Sequence, residues 1–142
     1  MKKLVLGLLF AASVVSTHSV FADGAKSDGF VLIHASDLNT MMKSEPTNVH
    51  VYDANNEKVR ATEGLIPTAE ALPSSSHYDV ATLPKDKNAK VVFYCMNTDC
   101  MASHDAAKVA AKAGYKNIFV MSDGIEGWKK AKMPTQKYVK KT

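Results

Sequence analysis

Two cysteines, Cys95 and Cys100, are the residues of this 142-residue chain whose type and spacing point to chemistry. Cys95 directly follows Val91-Val92-Phe93-Tyr94, four apolar residues in a row. Such a run reads as a strand buried on both faces. The polar loop Met96–Ala102 comes next, and a helix is expected to open at Ser103. In an open α/β sheet, ligands gather at the carboxyl ends of the strands. A helix N-terminus at the same place offers free N–H groups to an anion. A thiol held there is expected to react as the thiolate, which makes Cys95 the candidate nucleophile. The competing reading is an inert buried thiol, because free cysteine is among the most buried residue types. The position of Cys95, where a strand meets a polar loop, favours the nucleophile.

Cys100 admits three readings. It forms a disulfide with Cys95, if the loop brings their Cα atoms within about 4.4–6.8 Å. It resolves a persulfide on Cys95 by expelling sulfide and closing that disulfide. Or it packs passively under the loop. The spacing of five residues favours chemical coupling over passive packing. Two cysteines cannot build a disulfide framework. Met96, Met101 and His104 lie beside the two thiols, and soft sulfur with an imidazole suits Cu(I). The simpler account has the two methionines filling apolar space and His104 in the first helical turn. A closed zinc site lacks ligands here. No metal and no cofactor is expected.

The elements that must position the cysteine alternate. Phe30–Ile33 is expected to be a short strand, and Ser36 to cap a helix over Asp37–Lys43 that ends before Pro46. Val49–Asp53 reads as a strand running into a turn at Asn55-Asn56. Glu63–Ala69, with Gly64 and Pro67, reads as a loop. Ala69–Leu72 is a possible short strand, broken by Pro73–Ser76, and Ser76 can cap a helix over His77–Thr82. Leu83–Lys90 is a polar connection. Ala106, Ala107, Val109, Ala110 and Ala113 recur at helical spacing, and Gly114 stops that helix. Ile118–Met121 is a second buried strand, Asp123-Gly124 a turn, and Ile125–Lys132 a last helix closed before Pro134. Strands alternating with helices give an α/β class with a mostly parallel sheet. No internal repeat, low-complexity tract or second domain is visible.

The first 22 residues are expected to be a secretory signal peptide. Lys2 and Lys3 precede a short uncharged apolar stretch, Leu4–Val15, and Val20-Phe21-Ala22 ends on small residues. The stretch is too short for a spanning helix of roughly 20 apolar residues, and no membrane span is expected. Its simple form, with no lipid-attachment cysteine at the cleavage site, points to a periplasmic destination. What remains is 120 residues, enough for one ordinary domain, which folds without a disulfide scaffold. Residues 23–29 read as a flexible N-terminus, 30–134 as the domain and 135–142 as a basic tail. After the leader there are 16 basic and 14 acidic residues, and six of the cations lie in Lys129–Lys141. The body is therefore acidic, and nucleic acid is excluded as a partner despite a whole-chain pI near 9.0. The lysines at 129, 130 and 132 suit a helix C-terminus, and the rest are expected to be solvated. Export would place both thiols in an oxidising compartment.

Five ordered pieces together resemble the rhodanese-like (sulfurtransferase) domain, over roughly Phe30–Pro134. They are the strand Val49–Asp53, the loop Gly64-Leu65-Ile66-Pro67-Thr68-Ala69, and the buried strand ending in Tyr94-Cys95. The Ala-rich helix ending in Gly114-Tyr115 follows, and then the strand Ile118–Met121 with Gly124 and Trp128. The resemblance implies a three-layer α/β/α fold around a five-stranded, mostly parallel sheet. It implies that Cys95 takes sulfane sulfur as a persulfide from a small donor, such as thiosulfate or another persulfide. The acceptor would be a thiol or cyanide-type nucleophile. The loop Met96, Asn97, Thr98, Asp99, Met101, Ala102 and Ser103 would hold the anion through backbone N–H groups, with Ser103 as N-cap. Asp53 and Arg60 are possible supporting residues. Asp53 would hydrogen-bond the loop, and Arg60, the one arginine, is more often a solvated ion-pair partner. Tyr52, Tyr94 and Trp128 are expected in the core.

Three departures stand out. Many members place Gly and Arg after the cysteine, whereas this loop carries no cation and adds Asp99, and the span from Cys95 to Gly114 is about two residues longer. That weakens thiosulfate, a dianion, as donor, and argues against the phosphatase and arsenate-reductase relatives. Leu65 and Thr68 stand where histidine and glycine are usual. Cys100 is the third departure. Three functions follow: a sulfurtransferase using Cys95, a thiol–disulfide redox module cycling Cys95 and Cys100 with a redox protein partner, or a non-catalytic binding module on an inherited fold.

Overall fold

A computed structural model describes residues 28–140, and the expected signal peptide lies outside them. The strands are β1 (Val31–Ile33), β2 (Val49–Asp53), β3 (Glu70–Ala71), β4 (Lys90–Tyr94) and β5 (Asn117–Met121). The helices are α1 (Ala35–Ser44), α2 (Glu57–Glu63), α3 (Ala102–Lys112) and α4 (Gly124–Lys130). A single 3₁₀ turn covers Val80–Thr82. The five strands form one sheet in the order β1-β5-β4-β2-β3, and every pairing is parallel. Among the described residues no helix is long and apolar enough to cross a membrane.

β4 lies at the centre, which explains its unbroken apolar run. Successive side chains alternate between faces. Val91, Phe93 and Cys95 point into one core, which α3 closes with Ala106, Ala107 and Ala110. Val92 and Tyr94 point into the other, which α1 and α4 close with Leu38, Met41, Ile125 and Trp128. Small residues on α3 let that helix lie close to the sheet. The fold is the three-layer α/β/α arrangement expected, with both sheet faces covered. Tyr52, Tyr94 and Trp128 are all buried.

Several local expectations are corrected. α1 begins two residues early, with His34 rather than Ser36 at its N-cap. The Asp37 carboxylate accepts the His34 backbone N–H at 2.8 Å, which leaves Ser36 inside the first turn. The helix expected over His77–Thr82 shrinks to the 3₁₀ turn, capped by Asp79, whose Oδ1 accepts from Ala81 N at 2.9 Å. α2 is an element that the sequence pattern does not predict. It starts where Asn56 Oδ1 accepts from Val59 N at 3.0 Å and ends at Gly64.

The chain after Pro134 is mostly exposed, as expected, but it is tied to the domain at several points. Trp128 Nε1 donates to the Pro134 carbonyl at 2.8 Å. Leu65 and Gln136 exchange two backbone hydrogen bonds, at 2.9 and 2.8 Å. Lys140 Nζ lies 3.0 Å from the Glu57 carboxylate.

Candidate active site

β4 delivers Cys95 at its carboxyl end, between α3 on one side and the start of α4 on the other. Its side chain is 1% exposed. It is joined by a disulfide to Cys100, with the two Cα atoms 6.2 Å apart. Of the three readings of Cys100, the passive one is set aside for the oxidised state shown here. Cys95 Sγ also lies 3.0 Å from the Cys100 carbonyl oxygen and 3.4 Å from Ser103 Oγ.

Ser103 is therefore not the N-cap. Met101 occupies the cap with helical backbone angles and no capping side chain, and Asp105 N donates to the Met101 carbonyl at 3.0 Å. The loop is already turning helically at Met101, so Ser103 falls within the first turn. Its hydroxyl is buried against the Cys95 sulfur. The first turn of a helix has N–H groups without intrahelical partners, and with the dipole they favour negative charge nearby.

α4 holds the loop from the other side. Ile125 N donates to the Cys95 carbonyl at 2.8 Å, and Glu126 N to the Met96 carbonyl at 3.0 Å. Such close backbone approach needs Gly124. Its φ is +64°, and a Cβ there would overlap the Met96 carbonyl and Asn97 N. Asp123, just before it, ties α4 to the start of α1. It accepts from Ala35 N at 2.8 Å and pairs with His34 Nδ1 at 2.9 Å. Burial works against the Asp123 carboxylate, but the Ala35 N–H and His34 outweigh it and hold its pKa below the ordinary value. The hydrogen bond to Asp123 in turn raises His34 above its ordinary value.

The mouth of the site is a cavity of about 530 Å³. Met96, Asn97, Asp99, Cys100 and Ala102 form one wall, and Ala54–Asn56, Val59 and Pro73–Ser75 the other. Cys100 lines it and is half-buried, while Cys95 lies behind. No lysine or arginine stands among the described residues lining it. Thr98 and Asp99 are exposed, and Met101 is 54% exposed. The opposite wall carries no signal in the sequence. Asn56 and Pro73–Ser75 read only as turn residues, and nothing in their spacing ties them to Cys95.

Asp53 and Arg60 are brought together, but with each other. Arg60 Nε donates to Asp53 Oδ1 at 3.1 Å, and its Nη2 donates to the carbonyls of Asp53 and Leu72 at 3.0 and 2.6 Å. Arg60 is buried rather than solvated, because α2 lays it over the ends of β2 and β3. Asp53 bonds Asn55, whose N donates to Oδ1 at 2.7 Å. It pairs in register with Tyr94, the residue before Cys95. The nearby Tyr94 hydroxyl accepts from Ile66 N at 3.1 Å. Burial first, and the Asp53 charge second, push its pKa far up. These residues brace the strand ends beneath the loop. His104 does not join the cysteines: its ring meets Phe30 edge-on at 5.5 Å.

Residues 34–131 match the rhodanese-like domain. The chain belongs to the rhodanese-like family. No curated protein matches it in sequence. Solved structures share the fold. A rhodanese-like domain from Anabaena sp. is 19% identical, with a TM-score of 0.62, over 75% of this chain and 79% of that one. A polysulfide-sulfur transferase homodimer from Wolinella succinogenes is 15% identical, with a TM-score of 0.59, over 78% and 80%. A thiosulfate sulfurtransferase from Pseudomonas aeruginosa is 18% identical, with a TM-score of 0.62, over 76% of this chain and 20% of that one.

Within this rhodanese-like domain, cations beside the loop come from outside it. Lys58 of α2 lines a small cavity with Met96, and Lys130 of α4 another with Asn97, Thr98 and Asp99. Thr68, where glycine is usual, keeps a left-handed backbone at φ +69°.

Proposed function

We propose that this rhodanese-like chain is an exported sulfurtransferase that carries sulfane sulfur on Cys95 once the Cys95–Cys100 disulfide is reduced. The observation that carries this is the placement of Cys95 Sγ beside the first turn of α3, 3.4 Å from Ser103 Oγ. There a thiolate gains from the helix N-terminus and can accept the Ser103 hydroxyl. The thiolate attacks the outer sulfur of a donor. With thiosulfate, a Cys95–sulfur bond forms, the sulfur–sulfonate bond breaks, and sulfite leaves with the electron pair. A thiol or cyanide-type acceptor then attacks the outer sulfur, and Cys95 leaves as thiolate. The basic, short, apolar leader Met1–Ala22 supports delivery to the periplasm. The names of the Wolinella and Pseudomonas neighbours agree with sulfur transfer.

The disulfide itself favours a second reading, in which the pair cycles between dithiol and disulfide with a thiol redox partner. One experiment separates them. The reduced protein is given thiosulfate, and its intact mass is read for wild type and Cys95→Ser. A gain of one sulfur atom in wild type alone is expected. No gain in wild type, with the disulfide re-forming in air, would replace sulfur transfer with the redox cycle.

A further inference from the structure

The disulfide is not symmetric towards solvent. Cys95 is 1% exposed and sits behind the loop. Cys100 is half-buried and lines the 530 Å³ cavity. A nucleophile arriving through that cavity meets Cys100 first. Disulfide exchange depends on which sulfur can be reached and on how well the other leaves. Here the second condition points the same way. Cys95, as leaving group, is released beside the first turn of α3, with the Ser103 hydroxyl 3.4 Å away. The cavity walls carry Asp99 and no lysine or arginine among the described residues. They favour a small nucleophile of low charge over a dianion.

We propose that the oxidised pair accepts hydrosulfide at Cys100 and relays its sulfur to Cys95. In the first step HS⁻ attacks Cys100 Sγ. A new sulfur–sulfur bond forms, the Cys95–Cys100 bond breaks, and Cys95 Sγ departs with the electron pair. Cys100 then carries a persulfide and Cys95 is a thiolate. The sulfide has lost two electrons and the disulfide has gained them, so a single turnover needs no other oxidant. In the second step the Cys95 thiolate attacks the outer sulfur, and Cys100 leaves as thiolate. The 6.2 Å Cα separation keeps the two side chains within reach of each other. This second step rests on the reading of Cys95 as sulfur carrier, and the first does not. The protein thereby makes sulfane sulfur from sulfide, using its own disulfide.

The test mixes the oxidised full-length protein with sodium sulfide near one equivalent, quenches with an alkylating agent at successive times, and reads intact mass. Cleavage before Asp99 then separates the two cysteines for mapping. The expected result is a gain of one H₂S, found first on Cys100 and later on Cys95, with no gain by the pre-reduced protein. A gain of two hydrogen atoms without sulfur overturns sulfur capture, and an adduct appearing first on Cys95 overturns attack at Cys100. Sulfur that stays on Cys100 overturns the relay. Loading of the pre-reduced protein by thiosulfate is measured alongside. Its failure would sink the thiosulfate reaction while leaving the sulfide result standing, because that reaction uses no disulfide.

Discussion

Replacing Gly124 with alanine probes how the Cys95 loop is held. Gly124 and Gly114 both have left-handed backbones, at φ +64° and +90°. Alanine in that region costs about 1 kcal/mol. At Gly114 a Cβ meets nothing within 4 Å, so Gly114→Ala should lose about that much and no more. At Gly124 the Cβ would overlap the Met96 carbonyl and Asn97 N. Those are backbone atoms with no side-chain end to swing aside, so the loop must retreat. Retreat lengthens Ile125 N to Cys95 O and Glu126 N to Met96 O, now 2.8 and 3.0 Å. Each such bond is worth about 1 kcal/mol, so Gly124→Ala should lose about 3 kcal/mol. The difference of about 2 kcal/mol corresponds to roughly 8 °C in melting temperature for a domain of this size. Thermal unfolding of the two variants, in the same redox state, measures it. Sulfur loading from thiosulfate should fall in Gly124→Ala and hold in Gly114→Ala. Equal stability losses in the two variants would refute the idea that α4 clamps the loop through Gly124.

Two further substitutions test the frame around the site. Thr68 is exposed and β-branched at φ +69°, a strained combination, so Thr68→Gly should raise stability by about 0.5–1 kcal/mol after the entropy of the unfolded chain is charged against it. Urea denaturation reads this, and a loss of stability would mean that the threonine side chain contributes more than its backbone costs. Arg60→Met leaves the Asp53 carboxylate buried without its cation, and should destabilise by about 3–5 kcal/mol. The double variant with Asp53→Asn should recover part of that in the same assay, and a double variant no better than the single would show that Arg60 acts through the carbonyls of Asp53 and Leu72 instead.

The centre of this fold was legible because its patterns are strong. β4 is apolar at four successive positions and α3 carries alanines at helical spacing, so the sequence alone spells out the strand–Cys95–helix unit. α2 is not legible, because its seven residues bury only Arg60 and show no apolar stripe. Its signals are the Asn56 cap and the Gly64 stop, and both residue types suit turns and loops equally well. Ser103 departs from its expected role as N-cap for a physical reason. A serine before an alanine-rich run is a good cap, but Met101 had already adopted helical angles, and that is set by how the loop returns from Cys95. The disulfide was one of three readings, since spacing alone permits the pair without deciding it. The far wall of the cavity, Ala54–Asn56 and Pro73–Ser75, comes from connections after β2 and β3, and no local pattern links those to a cysteine after β4.

The loop's lack of cations now has a structural context. The charges that would draw a dianion are displaced: Lys58 and Lys130 stand in neighbouring cavities, and the single arginine is consumed by Asp53 and two carbonyls. An anion at Cys95 must therefore rely on backbone N–H groups and the α3 dipole. These stabilise a sulfur-centred charge on the cysteine itself better than a distant sulfonate, because the dipole's effect falls off within the first turn. On the proposed sulfur-transfer reading, the site is thus better matched to holding a cysteine persulfide than to gripping an oxyanion. That match joins the atypical loop sequence, the buried Cys95 and the cavity-facing Cys100 in one chemical account.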